Sequence, residues 1–413
     1  MTTIVIVGAG QAGSELAVAL RQTGFGDRIV MVGAERHLPY QRPPLSKAFL
    51  RGKVELDALR TRAEDAYTSA GIEVELGTPA VGIDRRTRSV ALADGRKLRY
   101  DKVALTTGGS PRPVRFGSGH IAGRTLHHLD DAIALRQDLQ SGGTILIIGG
   151  GFIGLETAAA ATDMGIAVTL VEAQPRVLAR MCPPAVSAFA ERVHRNHGVD
   201  LRTGVSVRSV ARREETLLAE LSDGTTVRTD LILTGVGIAA NDSLAATAGL
   251  AVHDGVLVDA MARTEDPDIV AAGDCTRQWH GFLGRSVRLE SVQNATDQAR
   301  IAARSLCGKP TERFTAPWFW SDQYDHKLQM AGLPQPSDIA VVRGDPSSDS
   351  FSVVYLRNGA ITGLHAVNRP REFAASRQLV TARAPLSQGE AASDEVPLFE
   401  LMKQHQSTIE RRA

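Results

Sequence analysis

The chain has 413 residues, which is too long for one hydrophobic core and predicts two or three domains. A formal net charge of +1, with 23% charged residues, gives no general attraction to nucleic acid or to a membrane surface. Three scattered cysteines fit neither a disulfide framework nor zinc-ligand spacing, so we expect free thiols and no metal site. With no signal segment and no run long enough to cross a bilayer, the sequence predicts a cytoplasmic protein without nucleic-acid or membrane partners.

The first predicted element is a strand, Ile4–Val7, which runs into the spacing Gly8-x-Gly10-x-x-Gly13 and then into a helix over 14–21. In this arrangement the first glycine permits a tight turn, the second lets a pyrophosphate approach the backbone, and the third lets the helix pack closely on the strand. The amide groups and the positive dipole end of the helix then bind the phosphates. The stretch therefore predicts a dinucleotide-binding site.

A second strand is predicted over 28–33, and Glu35 is the carboxylate that follows it. An acid near the end of this strand accepts hydrogen bonds from the adenosine ribose, so Glu35 is the predicted ribose ligand. The next segment, Leu38–Lys47, carries three prolines, which prevent regular structure until a helix begins near Ser46. Lys47 is either a surface lysine or a residue that this stiff loop fixes beside a cofactor.

The same strand, glycine spacing and helix start recur at Thr144–Gly154. Each copy is followed by a strand that ends in glycines, at 101–109 and at 230–237, and residues 110–113 form a linker between the two copies. Such an internal repeat predicts two dinucleotide-binding units. We expect a chain that binds two dinucleotides to move electrons from one to the other.

Glu172 follows the second strand of the second unit, at the spacing expected for a ribose ligand. A carboxylate at this position repels the 2′-phosphate of NADPH, whereas Arg176 and Arg180 are close enough in sequence to offset it. The charge of Glu172 therefore favours NADH as the coenzyme, and NADPH remains the open alternative.

The strand 264–274 ends in Gly273 and Asp274, a carboxylate beside a tight glycine that suits the ribityl chain of FAD. A long helix is predicted over 290–307. No cysteine pair lies within 35–60, which excludes a flavoprotein disulfide reductase.

The last part of the chain is predicted to be a small sheet with covering helices. The strands are expected at 339–343, 351–357 and 360–367, with a helix at 372–381 and a loop at 384–394. Two tryptophans, Trp318 and Trp320, precede them and are interpreted either as core residues or as one wall of a flavin or nicotinamide pocket. The predicted domains are an FAD-binding domain (1–110 and 240–315), an NAD-binding domain (111–239) and a C-terminal domain (316–413).

Several motifs together resemble the FAD-dependent ferredoxin reductases that serve bacterial cytochromes P450 and ring-hydroxylating dioxygenases. They are Arg42–Lys47, Ile148–Glu156, Ala272–Cys275, Glu290–Ala295 and Ala316–Tyr324. The resemblance runs nearly end to end and implies an α/β fold with two Rossmann-like domains of the glutathione-reductase type and a smaller α+β C-terminal domain. It departs at Ala34, where the family has an acid directly after the glycine of the second strand, and at His127, where it has arginine.

The motifs and the resemblance to the ferredoxin reductases together predict two cofactor sites. The FAD site comprises Gly8, Gly10, Ala12, Gly13, Glu35, Lys47, Ala80, His127, Gly273, Asp274 and Val292. The NADH site comprises Gly149, Gly151, Phe152, Ile153, Gly154, Glu156 and Glu172. The predicted catalytic residues are Lys47, Glu156 and Trp320, with Lys47 and Glu156 paired near the flavin ring.

The resemblance implies electron transfer from NADH through FAD, singly, to a [2Fe-2S] ferredoxin, in a monomer or a weakly associated dimer. A rubredoxin reductase, an NADH oxidase and an interaction protein of the apoptosis-inducing-factor type remain alternatives. A basic stretch is either a solvated helix face or a docking patch for an acidic ferredoxin, with Arg288 and Arg300 as its candidate residues. Its members are Arg277, Arg285, Arg288, Arg300, Arg304, Lys309 and Arg313.

Overall fold

A computed structural model describes residues 1–114, 116, 123–310 and 315–404, so Arg313 lies outside the described residues. The chain forms two compact units. The first unit contains Met1–Gln41, Leu56–Ser110 and Ile238–Thr315, and the second contains Arg42–Glu55, Pro111–Gly237 and Ala316–Ala413.

The secondary structure elements are numbered in chain order. The strands are β1 (Thr3–Val7), β2 (Arg28–Val32), β3 (Ile72–Glu75), β4 (Ala80–Asp84), β5 (Ser89–Leu92), β6 (Lys97–Arg99), β7 (Lys102–Leu105), β8 (Gly109–Pro111), β9 (Thr144–Ile148), β10 (Ala167–Glu172), β11 (Asp200–Thr203), β12 (Val207–Arg213), β13 (Thr216–Leu221), β14 (Thr226–Thr229), β15 (Leu231–Thr234), β16 (Ile238–Ala240), β17 (Val256–Val258), β18 (Ile269–Ala271), β19 (Thr276–His280), β20 (Arg285–Val287), β21 (Trp318–Gln323), β22 (His326–Gly332), β23 (Ile339–Gly344), β24 (Phe351–Arg357) and β25 (Ala360–Val367). The helices are α1 (Gln11–Gln22), α2 (Leu56–Leu59), α3 (Glu64–Ser69), α4 (Leu129–Gln140), α5 (Phe152–Asp163), α6 (Pro184–Asn196), α7 (Ser243–Thr247), α8 (Val292–Leu306), α9 (Pro370–Ala382), α10 (Gln388–Ala392) and α11 (Leu398–Gln404), with a 3₁₀ helix at Pro43–Ser46.

The first unit is built on a five-stranded sheet in the order β18-β7-β1-β2-β3, with parallel pairing throughout. The central strands β1 and β2 are almost continuously apolar because both faces of the sheet are covered there, as is usual for parallel sheets. Helices α1 and α8 pack on one face around a core that includes Leu16, Leu20 and Ile301. This topology places the carboxyl ends of β1, β7 and β18 side by side at one sheet edge, where ligands bind in such folds.

The second unit contains a parallel sheet in the order β11-β10-β9-β15 and an antiparallel sheet in the order β21-β22-β25-β24-β23. Helix α5 follows β9 and is rich in alanine, and its buried small residues allow close packing on the sheet. The antiparallel sheet agrees with the strands predicted at 339–343, 351–357 and 360–367.

Three local predictions are wrong. Of the strand expected over 264–274, only Ile269–Ala271 is a strand, because a turn closed by the hydrogen bond from the Ile269 amide to the Asp266 carbonyl precedes it. The helix expected to begin near Ser46 is instead a 3₁₀ helix that ends there, because Pro43 and Pro44 occupy its first turn and the backbone at Lys47 leaves helical geometry. The loop expected at 384–394 contains α10, whose start is stabilised by a capping box between Ser387 and Glu390.

We predict that the second unit loses stability in mild acid because of His365, a buried histidine on β25. Burial lowers the pKa of His365 to about 3. Below about pH 6.5 the unfolded chain takes up a proton that the folded protein does not, so stability falls as the pH falls. Thermal unfolding should show a loss on the order of 2 kcal/mol between pH 8 and pH 5 for this group. His365→Leu should reduce that pH dependence, and an unchanged acid slope would contradict the assignment.

Candidate functional site

The first glycine turn has three glycines with different structural roles. Gly8 has a φ of +119°, and a Cβ there would lie 2.1 Å from the carbonyl oxygen of Thr106. A Cβ on Gly13 would lie 1.9 Å from the carbonyl oxygen of Gly8. Gly10 has open space, with no atom within 4 Å of the position of a Cβ. The fold therefore requires the outer two glycines, whereas the middle one leaves room for a ligand.

The second glycine turn shows the same difference between its outer glycines and its middle glycine. Gly149 has a φ of +110°, and a Cβ on Gly154 would lie 2.0 Å from its carbonyl oxygen. At Gly151 the nearest atom, the Gly235 carbonyl oxygen, is 4.0 Å from the position of a Cβ. Helices α1 and α5 begin directly after the middle glycines, with neither a side-chain cap nor an acidic residue in the first turn. Both helix starts therefore fit a phosphate group.

Gly273 lies beside the first turn. Its φ is +87°, and a Cβ there would be 3.0 Å from the Cβ of Ala12, so the structure brings the strand end of β18 together with the start of α1. The Gly273 amide donates to Oε1 of Gln298, 2.8 Å away, and the Thr276 hydroxyl lies 3.0 Å from the same oxygen. Gln298 is buried, and its Nε2 has no hydrogen-bond partner within the protein. This residue was missed by the sequence analysis because a lone glutamine in a helix carries no recognisable pattern.

The other residues predicted for the FAD site occupy several elements of the first unit. Asp274, directly after Gly273, is half-buried. Ala80 is the first residue of β4, and Val292 is the first residue of α8. The Ser291 hydroxyl caps that helix by accepting from the Asn294 amide at 3.1 Å.

Glu35 and His127 are the two positions where the chain departs from the family pattern. Oε2 of Glu35 accepts a hydrogen bond from the Tyr40 hydroxyl at 2.5 Å in the first unit. In the second unit, the His127 amide donates to Asp131 at 3.0 Å, and the His127 carbonyl accepts from Arg42. Neither arrangement tests whether these residues contact a cofactor, so their roles stay predictions.

Glu172 lies at the end of β10 and contacts the second glycine turn directly. Its carboxylate accepts from the Gly150 amide and from the Gln174 amide, both at 2.7 Å. Arg176 donates to the Ser187 hydroxyl at 2.6 Å and to the Cys182 carbonyl at 2.7 Å. The Arg176 guanidinium is therefore engaged by the Cys182 carbonyl and by Ser187 on α6, and it is a poor candidate for offsetting the charge of Glu172.

The Lys47–Glu156 ion pair is present in the second unit. Lys47 Nζ lies 2.7 Å from Oε2 of Glu156, and the side chains are 12% and 1% exposed. The Glu156 carboxylate also accepts from the Ser46 hydroxyl at 2.5 Å and from the Ser321 hydroxyl at 2.6 Å. Three donors thus satisfy a carboxylate that burial alone would destabilise. Sequence reasoning missed Ser46 and Ser321.

Trp320 belongs to an aromatic group on β21. Its ring centroid is 5.5 Å from that of Trp318 and 6.4 Å from that of Phe319. Phe319 packs on Phe152 at 4.8 Å, while Ile153 is 43% exposed. Because both tryptophans are only half-buried, they keep an accessible aromatic surface and are not ordinary core residues.

The basic stretch is less uniform than the sequence suggests. Arg288 is 13% exposed and lies 2.7 Å from Glu290 and 3.3 Å from Asp254. Arg300 is 54% exposed and 3.7 Å from Glu15. Of the others, Arg277 lies 3.3 Å from Asp254, Arg304 donates to the Pro310 carbonyl at 2.6 Å, and Lys309 donates to the Thr23 carbonyl. Arg300 therefore presents more accessible positive charge than Arg288.

The model of a known family, described as pyridine nucleotide-disulphide oxidoreductase, matches residues 2–299. The chain belongs to the pyridine nucleotide-disulphide oxidoreductase family. A second model, described as reductase C-terminal, matches residues 318–402.

Relatives of known name match nearly the whole length of this chain. The chain is 42% identical to putidaredoxin reductase of Pseudomonas putida over 406 residues, which is 97% of this chain and 96% of the relative. It is 38% identical to the ferredoxin–NAD(+) reductase component of the p-cumate 2,3-dioxygenase system of Pseudomonas putida over 403 residues, 96% of this chain and 98% of the relative. A solved covalent complex of putidaredoxin reductase with putidaredoxin contains a chain that matches with a TM-score of 0.95 and 41% identity, covering 98% of this chain and 99% of that one. The predicted fold class and family resemblance are confirmed.

This member of the pyridine nucleotide-disulphide oxidoreductase family has no redox-active disulfide. All three of its cysteines are described by the structure and all are free. Burial raises the pKa of Cys182 to about 12 and also raises the pKa of Cys275. Because these thiols are held in the unreactive protonated form, they do not supply the redox chemistry.

Two further features of the described residues bear on the class of protein. Within them, no group of three or more histidine, cysteine, aspartate or glutamate side chains is arranged to hold a metal ion. None of the helices that the structure describes combines the length and apolar character needed to cross a membrane.

Proposed function

We propose that the chain is an NADH-dependent flavoprotein reductase that passes electrons from NADH through FAD, one at a time, to a [2Fe-2S] ferredoxin serving a cytochrome P450 or related oxygenase. Two glycine turns with open space at Gly10 and Gly151 carry this proposal, in a chain 42% identical to putidaredoxin reductase. When bound, NADH supplies a hydride and FAD divides its two electrons into single ones. The protein supplies binding, orientation and electrostatics.

We assign FAD to residues 1–110 and 240–315, NADH to residues 111–239, and a separate C-terminal domain to residues 316–413. The amides at the start of α1 hold the FAD pyrophosphate, and Asp274 accepts from the ribityl hydroxyls. The amides at the start of α5 hold the NADH pyrophosphate in the same way. The partial positive charge of the helix dipole at the start of each helix favours these anionic groups.

We assign Lys47, Glu156 and Trp320 to the reacting rings. Lys47 stabilises the negative charge that the flavin gains on reduction, and Glu156 fixes the Lys47 ammonium through their 2.7 Å ion pair. Trp320 provides a flat surface on which a ring stacks. No protein acid or base is required, since the cofactors carry the hydride chemistry.

The coenzyme preference follows from Glu172. Its carboxylate is fixed by the Gly150 amide, where a ribose phosphate would meet a second negative charge. Arg176, one of the two arginines that could offset this charge, is committed to Ser187 and Cys182, and we propose that the site favours NADH over NADPH.

Acceptor kinetics test this function. With NADH as donor, the purified protein should reduce a [2Fe-2S] ferredoxin much faster than a rubredoxin, and both much faster than oxygen. A higher rate with rubredoxin would assign a rubredoxin reductase. Rapid turnover with oxygen alone would assign an NADH oxidase.

We predict that Arg300→Glu slows ferredoxin reduction about tenfold at low salt, because complementary charge raises the encounter rate of a transient complex. Its weak 3.7 Å contact with Glu15 makes little contribution to stability at 54% exposure, so the variant should fold normally. Stopped-flow reduction of ferredoxin at several salt concentrations measures the effect, and ferricyanide reduction should be unchanged. Arg86→Glu is the matched control, an exposed arginine of the same unit outside the basic stretch. If Arg300→Glu and Arg86→Glu slow ferredoxin reduction equally, Arg300 is not part of the docking site. The same holds if Arg300→Glu slows ferricyanide reduction as much as ferredoxin reduction.

A further inference from the structure

A chain of buried hydrogen bonds leads away from Glu156 through β21 to helix α6. Ser321 Oγ lies 2.6 Å from Oε1 of Glu156, and Nε2 of Gln323 lies 3.2 Å from Ser321 Oγ. Oε1 of Gln323 then lies 3.0 Å from Nε2 of His194. Ser321, Gln323 and His194 are all buried, with exposures of 0%, 3% and 0%. All of these residues belong to the second unit.

The chemistry of the groups fixes the direction of every bond. An ionised carboxylate only accepts, so the Ser321 hydroxyl must donate its proton to Glu156. Ser321 Oγ then accepts from the amide NH₂ of Gln323, which leaves the amide oxygen of Gln323 as an acceptor. Nε2 of His194 must therefore carry the hydrogen.

The second nitrogen of the histidine agrees with this assignment. With Nε2 protonated in the neutral ring, Nδ1 of His194 is an acceptor, and the Tyr324 hydroxyl lies 3.3 Å from it. Tyr324 is also stacked on His197, with ring centroids 3.7 Å apart. The neutral Nε2–H tautomer of His194 thus satisfies both of its polar neighbours.

We propose that His194 is a positioning residue for electron transfer, which, through Gln323 and Ser321, keeps a hydroxyl donor on the Glu156 carboxylate. This inference rests on the proposed function, because it concerns the Lys47–Glu156 pair at the flavin. The Ser321 and Ser46 hydroxyls share the negative charge of Glu156, so the carboxylate offsets less of the charge of Lys47. More of that positive charge then remains to stabilise the reduced flavin.

The protonation state supports the same geometry. Burial, the largest cause, lowers the pKa of His194 to about 4, against the opposing hydrogen bond to Gln323. His197, directly after α6, and His326 on β22 lower it further by their charge, and Asp325 lies 3.4 Å from His326. His194 therefore stays neutral throughout the neutral pH range, in the form that the hydrogen-bond chain requires.

The series of hydrogen bonds from Glu156 to His194 also sets the orientation of β21. Ser321 and Gln323 point to the buried face of the strand, whereas Trp318, Trp320 and Asp322 alternate with them and are half-buried. Because Ser321 and Gln323 are held by these buried hydrogen bonds, the register of β21 is fixed. The position of Trp320 is consequently coupled to the same buried contacts.

Four variants test the proposal: His194→Leu, His194→Gln, Ser321→Ala and His365→Leu. The leucine variant removes the donor to Gln323, whereas glutamine supplies an NH₂ group near the position of Nε2. Ser321→Ala removes one oxygen atom and provides the test if the leucine variant does not fold. His365 is the matched control, since it is also buried in the second unit, and its Nδ1 lies 3.5 Å from the Tyr355 hydroxyl, which is not part of the hydrogen-bond chain from Glu156 to His194.

Anaerobic stopped-flow measurements and flavin midpoint potentials supply the readouts. His194→Leu and Ser321→Ala should reduce the limiting rate of flavin reduction by NADH about tenfold, the effect of losing one hydrogen bond to a charged group. NADH affinity should change less than about twofold, and the potential should become more negative. His194→Gln should recover most of the rate, and His365→Leu should leave rate and potential unchanged.

Wild-type rate and potential in a folded His194→Leu variant, or in Ser321→Ala if His194→Leu does not fold, would overturn the positioning role. Equal slowing in His365→Leu would also overturn it, since any buried histidine would then have the same effect. Failure of NADH to reduce the wild-type flavin would instead contradict the proposed function itself.

Discussion

Gly151→Val is expected to leave FAD bound while abolishing reduction of the protein by NADH. The nearest atom to a Cβ at this position is 4.0 Å away, so the fold accommodates the side chain, but valine fills the space where the NADH pyrophosphate approaches. We expect NADH affinity to fall at least about 100-fold, comparable to losing several hydrogen bonds to phosphate. NADH titration of the yellow protein, followed by anaerobic absorbance, measures this loss.

Two other glycines provide the controls. Gly10→Val should give the converse result, a folded but colourless protein, because the open space at Gly10 belongs to the first turn. Gly154→Ala should unfold the second glycine turn, since its Cβ would lie 2.0 Å from the Gly149 carbonyl oxygen. Circular dichroism separates loss of fold from loss of ligand. A Gly151→Val protein that NADH still reduces at the wild-type rate would contradict the assignment of this turn.

Glu156→Leu is expected to destabilise the second unit by about 3–5 kcal/mol, the usual cost of breaking a buried ion pair. The substitution leaves the Lys47 ammonium, 12% exposed, without its counter-charge, and removes the acceptor of the Ser46 and Ser321 hydroxyls. Flavin reduction by NADH should slow at least about tenfold because the ammonium is no longer fixed. Thermal unfolding and stopped-flow reduction measure the two effects.

The same helix offers a matched ion pair for comparison. Asp163 lies 2.6 Å from Arg51, and these side chains are 32% and 16% exposed. Asp163→Leu should cost less than about 1 kcal/mol, as partly exposed pairs contribute little. Equal destabilisation in the two variants would show that burial does not distinguish the Glu156 site.

Features that depend on local sequence could be predicted from the sequence. The glycine turns follow from spacing and from the φ angles that only glycine adopts readily, and the strands of the C-terminal sheet follow from runs of apolar β-formers. The pairing of Lys47 with Glu156 joins positions 109 residues apart in sequence, and only the resemblance to a family suggested it.

The remaining contacts of the site could not be predicted in this way. Ser46, Ser321 and His194 lie on three different elements, and tertiary packing alone brings them into one network. The alternation of Ser321 and Gln323 with Trp318 and Trp320 was an available signal, because such a period-two pattern separates the two faces of a strand. Similarly, Glu290 lies two residues from Arg288, and that proximity was a sign that the arginine is paired.

The most direct measurement of the central claim is anaerobic titration of the purified protein with NADH and with NADPH, followed by addition of a [2Fe-2S] ferredoxin. The account predicts a yellow protein with flavin absorbance that NADH bleaches much faster than NADPH, and whose colour returns as the ferredoxin is reduced. A protein that remains colourless after incubation with FAD, or a flavin that NADH does not bleach, would contradict it.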